Sequence, residues 1–255
     1  MFPHKIYKYT LDFCKKIFFL SKYGIKNKKY FVGLKFIIFF IYFEFIHIIF
    51  IKFFYAKHKL SYESFIKNNL KFTQNWFTSQ IPSWIYIFKK YNFLNKKINI
   101  LEIGSYEGLS SLFILRIFRK AYLDCVDPHL SSGEHNNTNF NIIKKNFKFN
   151  LKYYKKKHTF FTLKSDKFFK RKIKKNYDFI YVDGYHHSSQ VFKDGINAFK
   201  FLKVGGLILF DDFLWFHYNN INYNPIHGVN KFYNNFKSQL KIIYLNHQIC
   251  FQKLR

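Results

Sequence analysis

The sequence predicts an α/β fold: a doubly wound, mostly parallel seven-stranded sheet with a C-terminal antiparallel hairpin and an N-terminal helical extension. Three observations predict it. From Ile98 onward, apolar runs of strand length alternate with helix-length stretches, the pattern of right-handed crossovers in a sheet covered on both faces. The strands end in polar or acidic turns, at Glu102 with its glycines, at Asp127, at Asp183 and at the pair Asp211-Asp212. The last two β-rich runs, Lys241 to Asn246 and Gln248 to Gln252, suit an antiparallel pair.

Residues 1–70 form the extension and 71–255 the α/β domain. Met1 to Asn69 is aromatic, aliphatic and lysine-rich, with Tyr30 to Tyr55 as its most hydrophobic part. The run between Lys35 and Lys52 contains Glu44 and His47. A membrane span wants about 20 predominantly apolar residues, so the run is short and charged near its middle. Lysines flank it on both sides, and no small-residue cleavage site follows it. A helix packed on the domain, an interfacial helix on a membrane surface through residues 30–56, and a span all remain open, the span being least suited. Phe72 to Trp84 then brings large aromatics ahead of the first strand, with Pro82 placed to start a helix.

Ile98, Ile100, Leu101 and Ile103 suit a strand buried on both faces. Gly104 and Gly108 allow a sharp bend after it, and the next helix, reaching about Arg119, aims its free N–H groups into that bend. Such a turn takes a nucleotide-like ligand, although a tight turn without a ligand has the same sequence. Tyr122 to Val126 is the second strand, and Asp127 falls about 23 residues after Gly104, near the spacing at which an acid takes ribose hydroxyls. After the polar loop Ser131 to Asn137, a helix over Thr138 to Asn150 leads to a third strand, Thr159 to Leu163. Ser165 and Asp166 lie at its carboxyl end, where they also suit a helix cap. Tyr177 to Val182 is the fourth strand, Ser188 to Leu202 a helix, Leu207 to Phe210 the fifth strand, and a further helix starts near Pro225.

The chain carries 43 Lys and Arg against 14 Asp and Glu, a net charge of +29. That excess would suit nucleic acid or an anionic membrane. Abundant Lys, Asn, Ile, Phe and Tyr with scarce Ala, Gly and Pro also match AT-rich coding at tolerant positions. No zinc-finger spacing, RNA-binding aromatic signature or repeat supports a specific nucleic-acid partner. Cys14, Cys125 and Cys250 are far apart and odd in number, which argues for a reducing, cytoplasmic setting.

Carboxyl ends of parallel strands face one crevice, so Asp183, Asp211 and Asp212 converge there without adjacency in sequence. Crowded carboxylates repel one another and need a hard divalent cation, naturally Mg²⁺, or a lysine cluster.

The stretches Leu101 to Ser110, Tyr177 to His186 and Gly205 to Asp212 resemble motifs of class I S-adenosylmethionine-dependent methyltransferases. More narrowly, they are similar to the metal-dependent O-methyltransferases of the catechol, caffeoyl-CoA and macrolide-sugar types and to the class-24 methyltransferase family. The similarity covers about Phe72 to Lys253 and implies a Rossmann-like fold. It implies that Glu102, Gly104, Ser105, Tyr106, Gly108 and Ser110 line the methionine and ribose part of S-adenosylmethionine. Asp127 matches the ribose acid, and Ser165 and Asp166 the adenine neighbourhood. Asp183, Asp211 and Asp212 match three Mg²⁺ ligands, and His186 falls at the catalytic base, with His187 adjacent. The activity implied is methyl transfer to a hydroxyl of a sugar or other small acceptor, with Phe213, Trp215, Phe216 and Tyr218 as an acceptor wall or lid. Two other functions fit parts of the pattern: an NAD(P)-linked oxidoreductase, and a non-enzymatic membrane-associated glycan- or lipid-binding protein.

Overall fold

The structure, a computed structural model, describes residues 2–28, 30–131, 134 and 138–255. Of the predicted polar loop, Ser132, Gly133 and 135–137 lie outside the described residues.

Five parallel strands carry the site: β1 (Asn99–Ile103), β2 (Tyr122–Val126), β3 (His158–Phe161), β4 (Tyr177–Val182) and β5 (Leu202–Phe210). β6 (Leu240–Leu245) and β7 (Ile249–Lys253) complete a seven-stranded sheet in the order β3-β2-β1-β4-β5-β7-β6, with β7 antiparallel to both neighbours. Strand order reverses direction between β1 and β4, which opens a crevice beyond their carboxyl ends. β5 starts earlier than expected. Leu202 already pairs with Tyr177, and a register shift follows before Leu207 meets Phe179.

Helices α1 (Phe2–Lys26), α2 (Tyr30–Ile46), α3 (Lys52–Asn69) and α4 (Ile81–Lys90) precede the sheet, with a π-helical turn, His47–Ile51, joining α2 to α3. The remaining helices are α5 (Leu109–Ile117), α6 (Phe140–Asn150), α7 (Ser165–Phe169), α8 (Ser188–Phe201) and α9 (Pro225–Phe236). Pro82 stands in the first turn of α4, as its missing N–H permits. Trp84 is fully buried there, edge-on to Tyr181, Phe179 and Phe88, with its indole N–H on Gln248 Oε1 at 2.8 Å. Cys125 and Cys250 are buried in strands and unpaired.

The N-terminal helices share this core. Tyr23 and Phe36 are fully buried: the Tyr23 hydroxyl accepts a hydrogen bond from Asn230 Nδ2 at 2.8 Å, and Phe36 lies edge-on to Phe213. α2 is apolar on both sides. Phe36, Phe40 and Phe43 face inward and buried, while Leu34, Ile38, Ile41 and Phe45 form an exposed outward stripe at helical spacing. Among the described residues no helix is long and apolar enough to cross a membrane, in keeping with the span as the least suited of the three arrangements. Glu44, expected to interrupt an apolar run, turns inward and is buried against Asn246.

Candidate active site

The turn after β1 is built on glycines for two different reasons. Gly104 has φ +86°, and a Cβ there would lie 1.8 Å from the Asp183 carbonyl oxygen, because the ends of β1 and β4 touch at this point. Gly108 has φ +80° and caps α5, and its missing Cβ makes room for Leu151 and Phe147. Tyr106 is also left-handed, at φ +44°. Asp127 Oδ2 accepts the Ser105 and Tyr106 amides at 2.9 and 2.8 Å, and its Oδ1 accepts the His129 amide at 2.7 Å. His129 Nε2 closes back on the Tyr106 carbonyl at 2.8 Å. Glu107 is buried and ties the turn to Thr73 and Asn146. The turn is therefore rigid before any ligand arrives.

Glu102 lies beneath this turn. Its carboxylate is fully buried and accepts the hydroxyls of Ser110 and Ser111, and burial pushes it up to about 7 despite those hydrogen bonds. The Ser105 hydroxyl is buried and makes no hydrogen bond. Exposed Trp76 stands beside the Tyr106 ring, with centroids 5.2 Å apart. Ser165 and Asp166 open α7, where Gln190 Nε2 reaches both at 3.2 Å and the buried Asp194 at 3.0 Å. Burial raises Asp194 to about 7, against the hydrogen bonds of Ser165 and Gln190.

Across the crevice, the ends of β4 and β5 bring Asp183 and Asp211 to one phenol, with Asp212 next to them in the chain. The Tyr181 hydroxyl donates to Asp211 and stands 3.0 Å from Asp183 Oδ2. Burial and the Asp211 charge hold Asp183 well above the usual carboxylate range, and burial with the Asp212 charge raises Asp211. Asp212 goes the other way. Burial would raise it, but the His247 hydrogen bond and the His186 charge outweigh burial and lower it.

His186 occupies the middle of the cluster. Its Nε2 lies 3.4 Å from Asp183 Oδ1 and 3.2 Å from Asp212 Oδ2, buried and without a hydrogen bond of good geometry. Its Nδ1 lies 3.1 Å from Glu134 Oε2, and its amide donates to Glu134 Oε1 at 3.2 Å. Burial alone would lower this imidazole, but Asp183, Glu134 and Asp212 raise it well above its ordinary value. His187 is used differently: its Nδ1 accepts the Ser189 amide at the start of α8. Asp183 and Asp212 flank the buried, unsatisfied His186 Nε2, and one donor atom each from Asp211, Asp212 and His247 lies within 4.8 Å of the others, a donor set that fits a divalent ion.

The expected acceptor wall is only partly formed. Phe213 is fully buried against Phe36 and faces the core, which corrects its placement in the wall. Trp215 stands edge-on to His186 at 5.0 Å, Tyr218 donates its hydroxyl to Glu134 at 2.9 Å, and Phe216 contacts Phe19 of α1. Sequence reasoning assigned no role to Glu134 or His247. Glu134 comes from a polar loop with no periodic signal, and His247 from the hairpin turn between β6 and β7. The one available signal was topological, since β7 runs antiparallel to β5 and its leading turn must lie beside Asp211 and Asp212.

Sheet order, glycine turn and switch-point crevice together define the class I methyltransferase fold. The sequence agrees: residues 101–213, just under half of the chain, match the class-24 methyltransferase family model, a methyltransferase domain. Among solved structures, the chain is similar to the MycE methyltransferase of the mycinamycin biosynthetic pathway, in complex with Mg and SAH, at 12% identity and TM-score 0.51. That match covers 78% of this chain and 54% of MycE, so the chain spans about half of MycE's length. The O-methyltransferase TomG from Streptomyces achromogenes, in complex with SAM, aligns at 11% identity and TM-score 0.52 over 82% of this chain and 96% of its own. An O-methyltransferase from Bacillus cereus, in complex with SAH, aligns at 13% identity and TM-score 0.51 over 84% and 98%. No curated protein matches the sequence.

Proposed function

We propose that this protein is an S-adenosylmethionine-dependent O-methyltransferase that uses a divalent cation, Mg²⁺, to methylate a hydroxyl of a sugar or other small hydroxylated acceptor. One observation carries the reading. The braced turn of β1 and the carboxylates of β4 and β5 face each other across the switch point, with an imidazole between the carboxylates.

In this reading the turn from Gly104 to Gly108, with Glu102 and Ser110 behind it, receives the methionine end of the cofactor. Asp127 faces its ribose, and Ser165 and Asp166 its adenine. Asp183, Asp211 and Asp212 would hold the cation. When bound, the cofactor supplies an electrophilic methyl group and the cation lowers the pKa of the acceptor hydroxyl. Glu134 accepts the Nδ1–H of His186; the carboxylates that raise this imidazole would be neutralised by a bound cation, and Nε2 would then be able to take the hydroxyl proton. Trp215 fixes the plane of the His186 ring, and holding nucleophile and methyl group in line supplies the remaining rate. An isotope-labelled methyl group is expected to pass from the cofactor to at least one member of a panel of sugars and small phenols, and a chelator should stop it. Transfer that continues at full rate in excess chelator would remove the cation from the mechanism.

The protein further docks on the cytoplasmic face of a membrane through residues 30–56. Leu34, Ile38, Ile41 and Phe45 of α2, with Phe50 and the strongly exposed Phe53, leave an apolar stripe uncovered. Exposed Lys57 lies on α3 beside the stripe, and exposed Lys22 and Lys26 on the neighbouring α1, which suits a helix lying in an anionic interface. Full-length protein is expected to float with vesicles containing anionic lipid and to lose at least about tenfold in binding when Phe45 and Phe53 are both changed to Ser. Equal recovery with and without vesicles, or a dimer buried through this stripe, would exclude membrane docking.

A further inference from the structure

We propose that His247 is a fourth protein donor at the cation site, adding one imidazole nitrogen to the oxygens of Asp183, Asp211 and Asp212, so that the site prefers Mn²⁺ to Mg²⁺. This inference rests on the metal-dependent reading above. His247 Nε2 lies 2.6 Å from Asp212 Oδ1, and one donor atom each from Asp211, Asp212 and His247 falls within 4.8 Å of the others. Asp211, Asp212 and His247 could hold a cation after small side-chain movements that open the His247–Asp212 pair.

The placement of His247 is built rather than incidental. Asn246 Oδ1 accepts the His247 amide at 2.7 Å, and the Asn246 amide closes the turn on the Gln248 carbonyl at 2.8 Å. Asn246 Nδ2 in turn donates to Glu44, a buried carboxylate in the otherwise apolar α2. Placing a carboxylate there is costly unless its hydrogen bonds matter. Asp212 is left-handed at φ +51°, a conformation rarely adopted without glycine. The Trp215 amide on the Asp212 carbonyl at 2.9 Å and His247 on its side chain hold it so. A line of contacts therefore runs from α2 through Glu44, Asn246 and His247 to Asp212. The His247 ring faces the Asp212 carboxylate through Nε2, the atom it would offer to a cation. An imidazole in place of a further oxygen shifts preference from Mg²⁺ toward first-row transition ions.

The test titrates Mn²⁺ and Mg²⁺ separately into the full-length protein by calorimetry and records pulsed electron paramagnetic resonance of the Mn²⁺ form. Wild type is expected to bind Mn²⁺ at least about tenfold more tightly than Mg²⁺ and to show nitrogen coupling from a coordinated imidazole. His247→Gln should lower Mn²⁺ affinity about 10- to 100-fold, leave Mg²⁺ binding far less changed and remove the coupling. Glu44→Gln, a positioning change, should move Mn²⁺ affinity in the same direction by less. Melting temperature and cofactor affinity establish folding for each variant. A wild type that binds neither ion refutes the metal-dependent reading itself. Binding without nitrogen coupling, a coupling lost in His186→Gln instead, or an Mn²⁺ preference that survives His247→Gln overturns the role of His247 alone.

Discussion

Replacing Asp211 with alanine is expected to lower methyl transfer by ~10³-fold or more while cofactor affinity stays within about threefold of wild type. The two effects separate because Asp211 stands at the end of β5, across the crevice from the glycine turn, and none of its hydrogen bonds reaches residues 104–108. Its partners are Tyr181 and the amide of Asp212. Removing it leaves the Asp212 amide without its acceptor, a cost of about 1–3 kcal/mol, while the Tyr181 hydroxyl keeps Asp183 Oδ2 at 3.0 Å, so the variant should be compared well below its melting temperature. Rates and cofactor affinity are read from labelled-methyl transfer and calorimetry on the same preparation. If cofactor binding falls with activity, the two halves of the site are not divided as proposed.

A second large effect is expected from Glu102→Gln on the pH dependence of stability. Burial raises the Glu102 carboxyl in the fold to about 7, from an ordinary value of 4.5. Between those two values the native protein keeps a proton that the unfolded chain has released, so stability falls as pH rises through the window and levels off above it. A rise of that size corresponds to about 3 kcal/mol from this one group. Asp194, raised by burial to about 7 from 3.8, contributes a parallel decline. Glu102→Gln should therefore make the slope measured by urea unfolding between pH 4.5 and 7 shallower, and Asp194→Asn should do the same, while Asp183 and Asp211, also raised, keep part of the decline in both variants. An unchanged slope in Glu102→Gln would mean that Glu102 is ionised in the fold across this range.

Much of this architecture was legible because the decisive signals are local. Ile98 to Ile103 is apolar enough to be a central strand, and the glycines after it are required by positive φ and by the closeness of Asp183. The acids at the ends of β2, β4 and β5 could be placed in one crevice because parallel topology fixes which strand ends meet. The rest depends on contacts that no sequence period encodes. Phe213 follows the metal pair directly, yet the approach of Phe36 from α2 draws it into the core. Glu44 looked like a flaw in an apolar helix because α2 is apolar on both faces, so periodicity cannot say which side the charge takes. Its partner, Asn246, lies about 200 residues away along the chain. Glu134 and His247 complete the surroundings of His186 and Asp212 from a loop and a hairpin turn. Gly108 matches a cofactor-lining position by motif, whereas the space beside it is filled by Leu151 and Phe147.

The division of labour between turn and strand ends is tested most directly by titrating S-adenosylmethionine into the full-length wild-type protein in the calorimeter, first without a divalent cation and then with Mg²⁺. The turn is already braced by Asp127 and Glu107, so binding at one site per chain is expected in both titrations. No binding at cofactor concentrations up to about 1 mM, with or without the cation, would contradict the account.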